Sequence, residues 1–194
     1  MKQIRCDIAV VGAGAVGLCA ALSLSRAGFK VVLVRRDAPA SHEHLAGSAG
    51  QAVADSRTLA ISPASQQLLA DAGAWSQLGQ ERICPVYTMQ VYPGAGAAGM
   101  PIRFSAAQAH EPVLAWILEQ SNLQAALEDC VAANGLRIIE GEVVGLREEA
   151  PGKPSPSQAN VFAHIELADG APVKTICARL IVAADGANSF VRSC

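Results

Sequence analysis

Val10-Val11-Gly12-Ala13-Gly14-Ala15-Val16-Gly17 decides the fold of this 194-residue chain. Before it, Ile8–Val11 is a short continuous apolar run, the pattern of a buried parallel strand. After it, Val16–Arg26 reads as a helix with Leu18, Ala21, Leu22 and Ser25 on one face, and Gly28 is placed to cap its C-terminus. Lys30–Val34 is a second, β-branched strand. The sum is a βαβ unit of about 30 residues. Each glycine has its own role. Gly12 allows the tight turn, Gly14 lets the backbone approach a pyrophosphate, and Gly17 allows close packing of helix on strand. The helix start offers N–H groups and a positive dipole end to phosphates, so Ala15 and Val16, where the loop meets the helix, are candidate cofactor-binding residues. A glycine-rich turn that holds nothing is the plain alternative, and the strand–turn–helix context argues against it.

A control lies further along. Gly94-Ala-Gly96-Ala-Ala-Gly99 also fits the G-x-G-x-x-G spacing, but strand-like residues follow it and no helix does. Without a helix N-terminus to hold an anion, it reads as a hairpin loop. The first motif has a gap of its own. An acidic residue is expected where the second strand ends, to accept hydrogen bonds from the adenosine ribose. Arg35 stands there, followed by Arg36, and a guanidinium accepts nothing. Two readings stay open: Arg35 selects a 2′-phosphate, as in NADP, or the chain binds FAD without the usual contact, with Asp37 as a nearby substitute.

Outward from these motifs, residues 37–54 look irregular, and Ser62-Pro63 starts a helix that Gly73 ends. Val86–Tyr92 and Ile102–Phe104 read as strands, Val113–Ala133 as one long helix carrying Trp116, and Leu136–Ile139 as a strand. Glu142–Glu149 and Asn160–Leu167 flank a proline-rich insert that reads as a loop. Asp169-Gly170 is a turn signal, and Leu180–Ala183 a final buried strand that runs into Asp185-Gly186. The fold expected is α/β, with a Rossmann-like parallel sheet and a β-meander. Residues 1–74 form the βαβ part, 75–112 leave the sheet to begin a β-rich second domain, and 113–194 return.

Composition removes several functions. A net charge of −2 and 4% aromatic residues argue against a nucleic-acid partner. No apolar run approaches the roughly 20 residues that span a bilayer, and no secretory signal precedes the first strand. The six cysteines form no C-x-x-C pair and read as reduced, mostly buried thiols of a cytoplasmic protein. His42-Glu43-His44 lacks a third spaced ligand, so no metal is expected. No nucleophile–base constellation is visible, so no catalytic side chain is assigned.

The order of motifs resembles the ubiquinone-biosynthesis hydroxylases, within the class A flavoprotein monooxygenases typified by p-hydroxybenzoate hydroxylase. The residues that carry the likeness are Gly12-Ala-Gly14-Ala-Val-Gly17, Asp55-Ser-Arg57-Thr-Leu-Ala-Ile-Ser, Glu119-Gln-Ser-Asn-Leu-Gln124-Ala-Ala-Leu and Ala184-Asp185-Gly186-Ala-Asn-Ser189-Phe-Val-Arg192. The resemblance implies FAD as cofactor and NAD(P)H as reductant, with hydroxylation of an aromatic ring, in this case a polyprenylated phenol or quinol. It implies that Gly12, Gly14 and Gly17 take the pyrophosphate, that Arg57 lies near the flavin, that Gln124 faces the cofactor, and that Asp185 and Gly186 touch FAD and NADPH. A lipid-like substrate implies peripheral contact with the inner membrane. Family members are longer, so the resemblance implies an N-terminal portion whose C-terminal half is missing. Such a portion is expected to be inactive alone and to self-associate through apolar surface. The competing functions are an NADP-binding reductase and a non-enzymatic truncated module.

Overall fold

A computed structural model describes residues 3–36, 57–94, 99–148, 163–168 and 174–194. The chain divides into two units, residues 1–53 with 127–194 and residues 54–126. The excursion from the main sheet is therefore longer than the span 75–112 read from the sequence.

The first unit is built on a six-stranded sheet. Its strands are β1 (Gln3–Val11), β2 (Val31–Arg35), β8 (Arg137–Glu140), β9 (Glu142–Glu148), β10 (Ala163–Ala168) and β11 (Lys174–Ala183). The order is β8-β2-β1-β11-β10-β9. Neighbours from β8 through β11 are parallel, and β11, β10 and β9 form an antiparallel meander. The continuous apolar runs at Ile8–Val11 and Val31–Val34 are buried on both faces, as central parallel strands must be. Helix α1 (Ala15–Arg26) packs on β1 and β2 with Leu18, Ala21 and Leu22 buried. Cys6, Val32, Val34, Ile139, Ile165, Ile176 and Ala178 belong to one buried cluster. Each fully buried Leu, Ile or Val contributes about 1.5–3 kcal/mol. The α1 helix ends as the sequence indicates, with the Gly28 N–H bonded to the Ser25 carbonyl.

β11 corrects one expectation. Its buried part is Ile176–Ala178, while Leu180 is 52% exposed and Ala183 is exposed. Among the described residues β10 pairs with β11 only as far as Ala178, and from there β11 pairs with β1.

The second unit holds a three-stranded antiparallel sheet, β3 (Thr58–Ile61), β7 (Ala115–Glu119) and β4 (Cys84–Val86), with β7 in the centre. Helix α2 (Pro63–Asp71) starts as predicted, its Ser62 hydroxyl accepting the Ser65 N–H at 3.2 Å and Pro63 in the first turn. Val86–Tyr92 is not one strand. The chain leaves β4 at Tyr87 and enters a separate hairpin, β5 (Thr88–Val91) with β6 (Ile102–Ser105), followed by the short helix α3 (Ala106–Ala109). Met89, Val91, Ile102 and Phe104 share one face of that hairpin and are exposed.

The predicted helix over 113–133 is half wrong. Ala115–Glu119 is strand β7, and helix α4 runs from Gln120 to Ala133. Trp116 therefore lies on a strand, opposite Ile61 and Pro85, and meets Trp75 edge-on with centroids 5.3 Å apart. Pairing on both sides satisfies the backbone of β7, which local helical preference does not outweigh. Among the described residues no helix is long and apolar enough to cross a membrane.

Candidate functional site

The glycine turn sits where three parallel strands end. The Gly12 N–H donates to the Val34 carbonyl of β2 at 2.9 Å, and the Ala184 N–H donates to the Val11 carbonyl at 2.7 Å. Gly12 has φ +108°, a conformation that side-chain-bearing residues avoid. A Cβ on Gly12 would lie 2.2 Å from the Ala184 carbonyl oxygen and 2.8 Å from the Asp185 nitrogen. A Cβ on Gly17 would lie 1.9 Å from the Gly12 carbonyl oxygen. Both glycines are needed for close packing inside the protein. Gly14 differs, because a Cβ there would meet nothing within 4 Å.

Gly14 is also the N-cap of α1, and no side chain caps that end. No acidic residue occupies the first turn, and Val16 is 75% exposed. The first N–H groups of a helix have no intrahelical partner. Open space over Gly14, beside an uncapped helix start, suits a phosphate group. In the geometry Gly12 and Gly17 are the tightly packed positions and Gly14 the open one, whereas the spacing reads Gly12 as a turn residue alone.

In the sequence Asp185-Gly186 stands apart as a second motif, and the fold brings it to the first. Asp185 lies two residues past the end of β11, beside Gly12. Its Oδ1 accepts the Ser189 hydroxyl at 2.6 Å, and its Oδ2 accepts the Val191 N–H at 3.2 Å. Ser189 is buried, and its Oγ accepts the Arg192 N–H at 3.0 Å, while the Arg192 guanidinium donates to the Ala187 carbonyl at 2.8 Å. Burial pushes the Asp185 carboxyl up. The hydrogen bonds from Ser189, Val191 and neighbouring backbone outweigh it and hold the group below its ordinary value. The carboxylate thus braces its own loop, and Gly186 turns that loop at φ +85°. Ser189 and Arg192 are part of this brace. Ala184, the first residue of that motif, packs against Gly12, a contact that nothing local in the sequence announces.

Arg35 ends β2. Its Nη2 donates to Glu140 Oε1 at 2.7 Å, across from it on β8. Its Nε is buried and pairs with no described atom. Arg57 and Gln124 belong to the second unit. The Arg57 carbonyl accepts the Gln120 N–H at 3.0 Å, which puts it beside the start of α4, and Gln124 is half-buried on that helix. In the same unit Asn122 Oδ1 accepts the Gly79 N–H at 3.3 Å, and Arg82 pairs with Glu119. Asp37, His42-Glu43-His44, Asp55 and Ser56 lie outside the described residues. Among the described residues no three metal-ligating side chains gather.

The model of the family described as "FAD binding domain" matches residues 5–194. The 3-demethoxyubiquinol 3-hydroxylase of Escherichia coli (strain K12) is 31% identical over 189 residues, covering 96% of this chain and 42% of that protein. The mitochondrial ubiquinone biosynthesis monooxygenase COQ6 of Danio rerio is 28% identical over 191 residues, covering 96% and 37%. Among solved structures, p-nitrophenol 4-monooxygenase PnpA from Pseudomonas putida DLL-E4 superposes with a TM-score of 0.68 at 21% identity, covering 99% of this chain and 43% of that one. Aklavinone-11 hydroxylase, in a complex with FAD and aklavinone, gives 0.67 at 21% identity, covering 100% and 35%. At that identity the structures speak for the fold. The chain spans less than half the length of these relatives.

Proposed function

Because the chain belongs to the FAD binding domain family, we propose that it is the FAD-holding part of an NAD(P)H-dependent monooxygenase that hydroxylates an aromatic ring. The observation that carries this reading is the glycine turn: closed around Gly12 and Gly17, open over Gly14, and backed by an uncapped helix start.

The residues fit the group. The N–H groups around Gly14, Ala15 and Val16 would take the pyrophosphate, and the braced Asp185-Gly186 loop would border it beside Gly12. Arg57 and Gln124 are assigned to the flavin end by the family likeness. When bound, FAD would supply the redox chemistry: reduced by NAD(P)H, it would let O₂ give one oxygen atom to the ring and the other to water. The protein's part is to bind, orient and exclude water, so the lack of an assigned acid–base side chain is consistent with the reading.

The relatives whose names give a substrate in ubiquinone biosynthesis support a polyprenylated phenol or quinol, delivered by peripheral contact with a membrane. Residues 1–194 are proposed to be inactive by themselves, and the exposed apolar face of the β5–β6 hairpin supports self-association. Against the competing NADP reading, the Arg35 side chain that would select a 2′-phosphate has the Glu140 carboxylate beside it, which would repel that second anion.

The test is titration of the purified chain with FAD and, separately, with NADP, followed by flavin fluorescence and calorimetry. Saturable binding of one FAD is expected, with NADP much weaker. No FAD uptake, or tighter NADP binding, would overturn the reading.

A further inference from the structure

We propose that Glu140 is the acidic residue that reads the adenosine ribose in this chain, held in place by Arg35. The inference rests on the FAD reading above. In a βαβ dinucleotide site the ribose hydroxyls reach the C-terminal end of the second strand, where a carboxylate accepts their hydrogen bonds. β2 ends on Arg35, which can only donate.

The neighbouring strand supplies what β2 lacks. β8 runs parallel to β2 in register, Val34 opposite Ile139 and Arg35 opposite Glu140. Parallel neighbours lie about 4.8 Å apart, so both side chains serve the same end of the sheet. The two strand ends are tied further by the Gly141 N–H, which donates to the Arg35 carbonyl at 2.9 Å. The Arg35 side chain is 17% exposed and that of Glu140 57%. The cation is therefore the inner member of the pair, and the carboxylate is the group turned toward solvent. One carboxylate oxygen takes Nη2 of Arg35, and the pair leaves acceptor capacity on the other. Arg35 is thus a positioning residue, and Glu140 the group that touches the ligand.

This arrangement sets specificity. A free 2′-hydroxyl can donate to Glu140, whereas a 2′-phosphate would bring negative charge against it. The arginine at the end of β2 then marks a site for an unphosphorylated ribose, the opposite of its meaning taken alone.

The experiment uses the purified chain and calorimetric affinities for FAD, FMN, ADP-ribose and 2′-phospho-ADP-ribose. The wild type should prefer ADP-ribose to its 2′-phosphorylated form. Glu140→Gln should weaken FAD and ADP-ribose by about tenfold or more, leave FMN (which has no adenosine) unchanged, and erase the preference by releasing Arg35. The exchange Arg35→Glu with Glu140→Arg should recover FAD affinity, and melting curves confirm that each variant is folded. A wild type that binds FAD, with a Glu140→Gln variant unchanged in both affinity and preference, overturns this inference and leaves the FAD reading intact. Equal losses for FMN and FAD in Glu140→Gln would also overturn it, by showing a general structural role. A wild type that takes no FAD overturns the reading beneath it.

Discussion

Replacing Gly12 and Gly14 by alanine, one at a time, separates packing from ligand access within a single turn. At Gly12 an alanine must adopt φ +108°, which costs about 1–2 kcal/mol before any contact is counted. Its Cβ would then sit 2.2 Å from a backbone carbonyl oxygen at Ala184, and no rotamer change relieves a clash with backbone. The end of β11 must move away from β1, so the total loss should reach at least about 3 kcal/mol. For a chain of this size that lowers Tm by roughly 6–12 °C. At Gly14 the opposing terms nearly cancel. The backbone there, φ −74° and ψ 174°, suits any L-residue, and the added Cβ meets nothing within 4 Å. Alanine is a poorer N-cap than glycine by about 0.5–1 kcal/mol, and the loss of unfolded-state freedom returns about 0.4–1 kcal/mol. Tm should stay within roughly 2 °C. Affinity for FAD should fall, because the methyl group stands between the phosphate and the N–H groups. Losing one such charge-assisted contact costs about 1.5–3 kcal/mol, roughly 10- to 150-fold in Kd. Thermal melts by circular dichroism and flavin titration read the two axes independently. A Gly14→Ala variant that melts early and binds FAD normally, or a Gly12→Ala variant that keeps wild-type Tm, would refute the division of labour.

Two other perturbations test the frame around the site. Asp185 has its folded-state carboxyl held below the ordinary value, so its contribution is present above the unfolded carboxylate range and is lost as pH falls through the depressed folded value. Asp185→Asn should therefore lower stability near neutral pH and flatten the loss on acidification below about pH 4, read by urea melts across pH; identical pH profiles would count against the brace. Cys6 is buried and its thiol is pushed up to about 11, first by desolvation and then by Asp7, while burial also raises Cys19 and Cys130. Cys84 and Cys194 are exposed. A thiol reagent at pH 8 should label Cys84 and Cys194 rapidly in the native protein and all six cysteines after unfolding; mass spectrometry that finds Cys6 modified under native conditions would contradict the packing of β1.

How far the sequence could be read depends on which interactions are local. Helix α1, helix α2 with its Ser62 cap, and the strands of the first βαβ unit were legible because a turn glycine, a capping hydroxyl and a run of β-branched residues act within a few residues of themselves. β7 was hidden by a coincidence of phase. Ala115 and Leu118 are buried three residues apart, as Leu123, Ala126, Leu127 and Cys130 are at helical spacing further on, so the strand imitates the apolar periodicity of the helix that follows it. Only pairing with β3 and β4 separates strand from helix at Gln120, and those partners are distant in sequence.

The candidate site shows the same limit more sharply. The three glycines carried their chemistry in their spacing, yet nothing local states that Gly12 abuts the Ala184 carbonyl, because that contact joins opposite ends of the chain. Arg35 looked like a departure from the dinucleotide pattern for a related reason. The pattern assumes that the residue ending the second strand acts alone. In this sheet β8 lies next to β2, and strand order is a property of the whole fold. An acid that ends the strand beside β2 can take a role that β2 has given up. A substitution at one strand end therefore has no fixed meaning until the residue across from it is known, and Glu140 is what changes the meaning of Arg35.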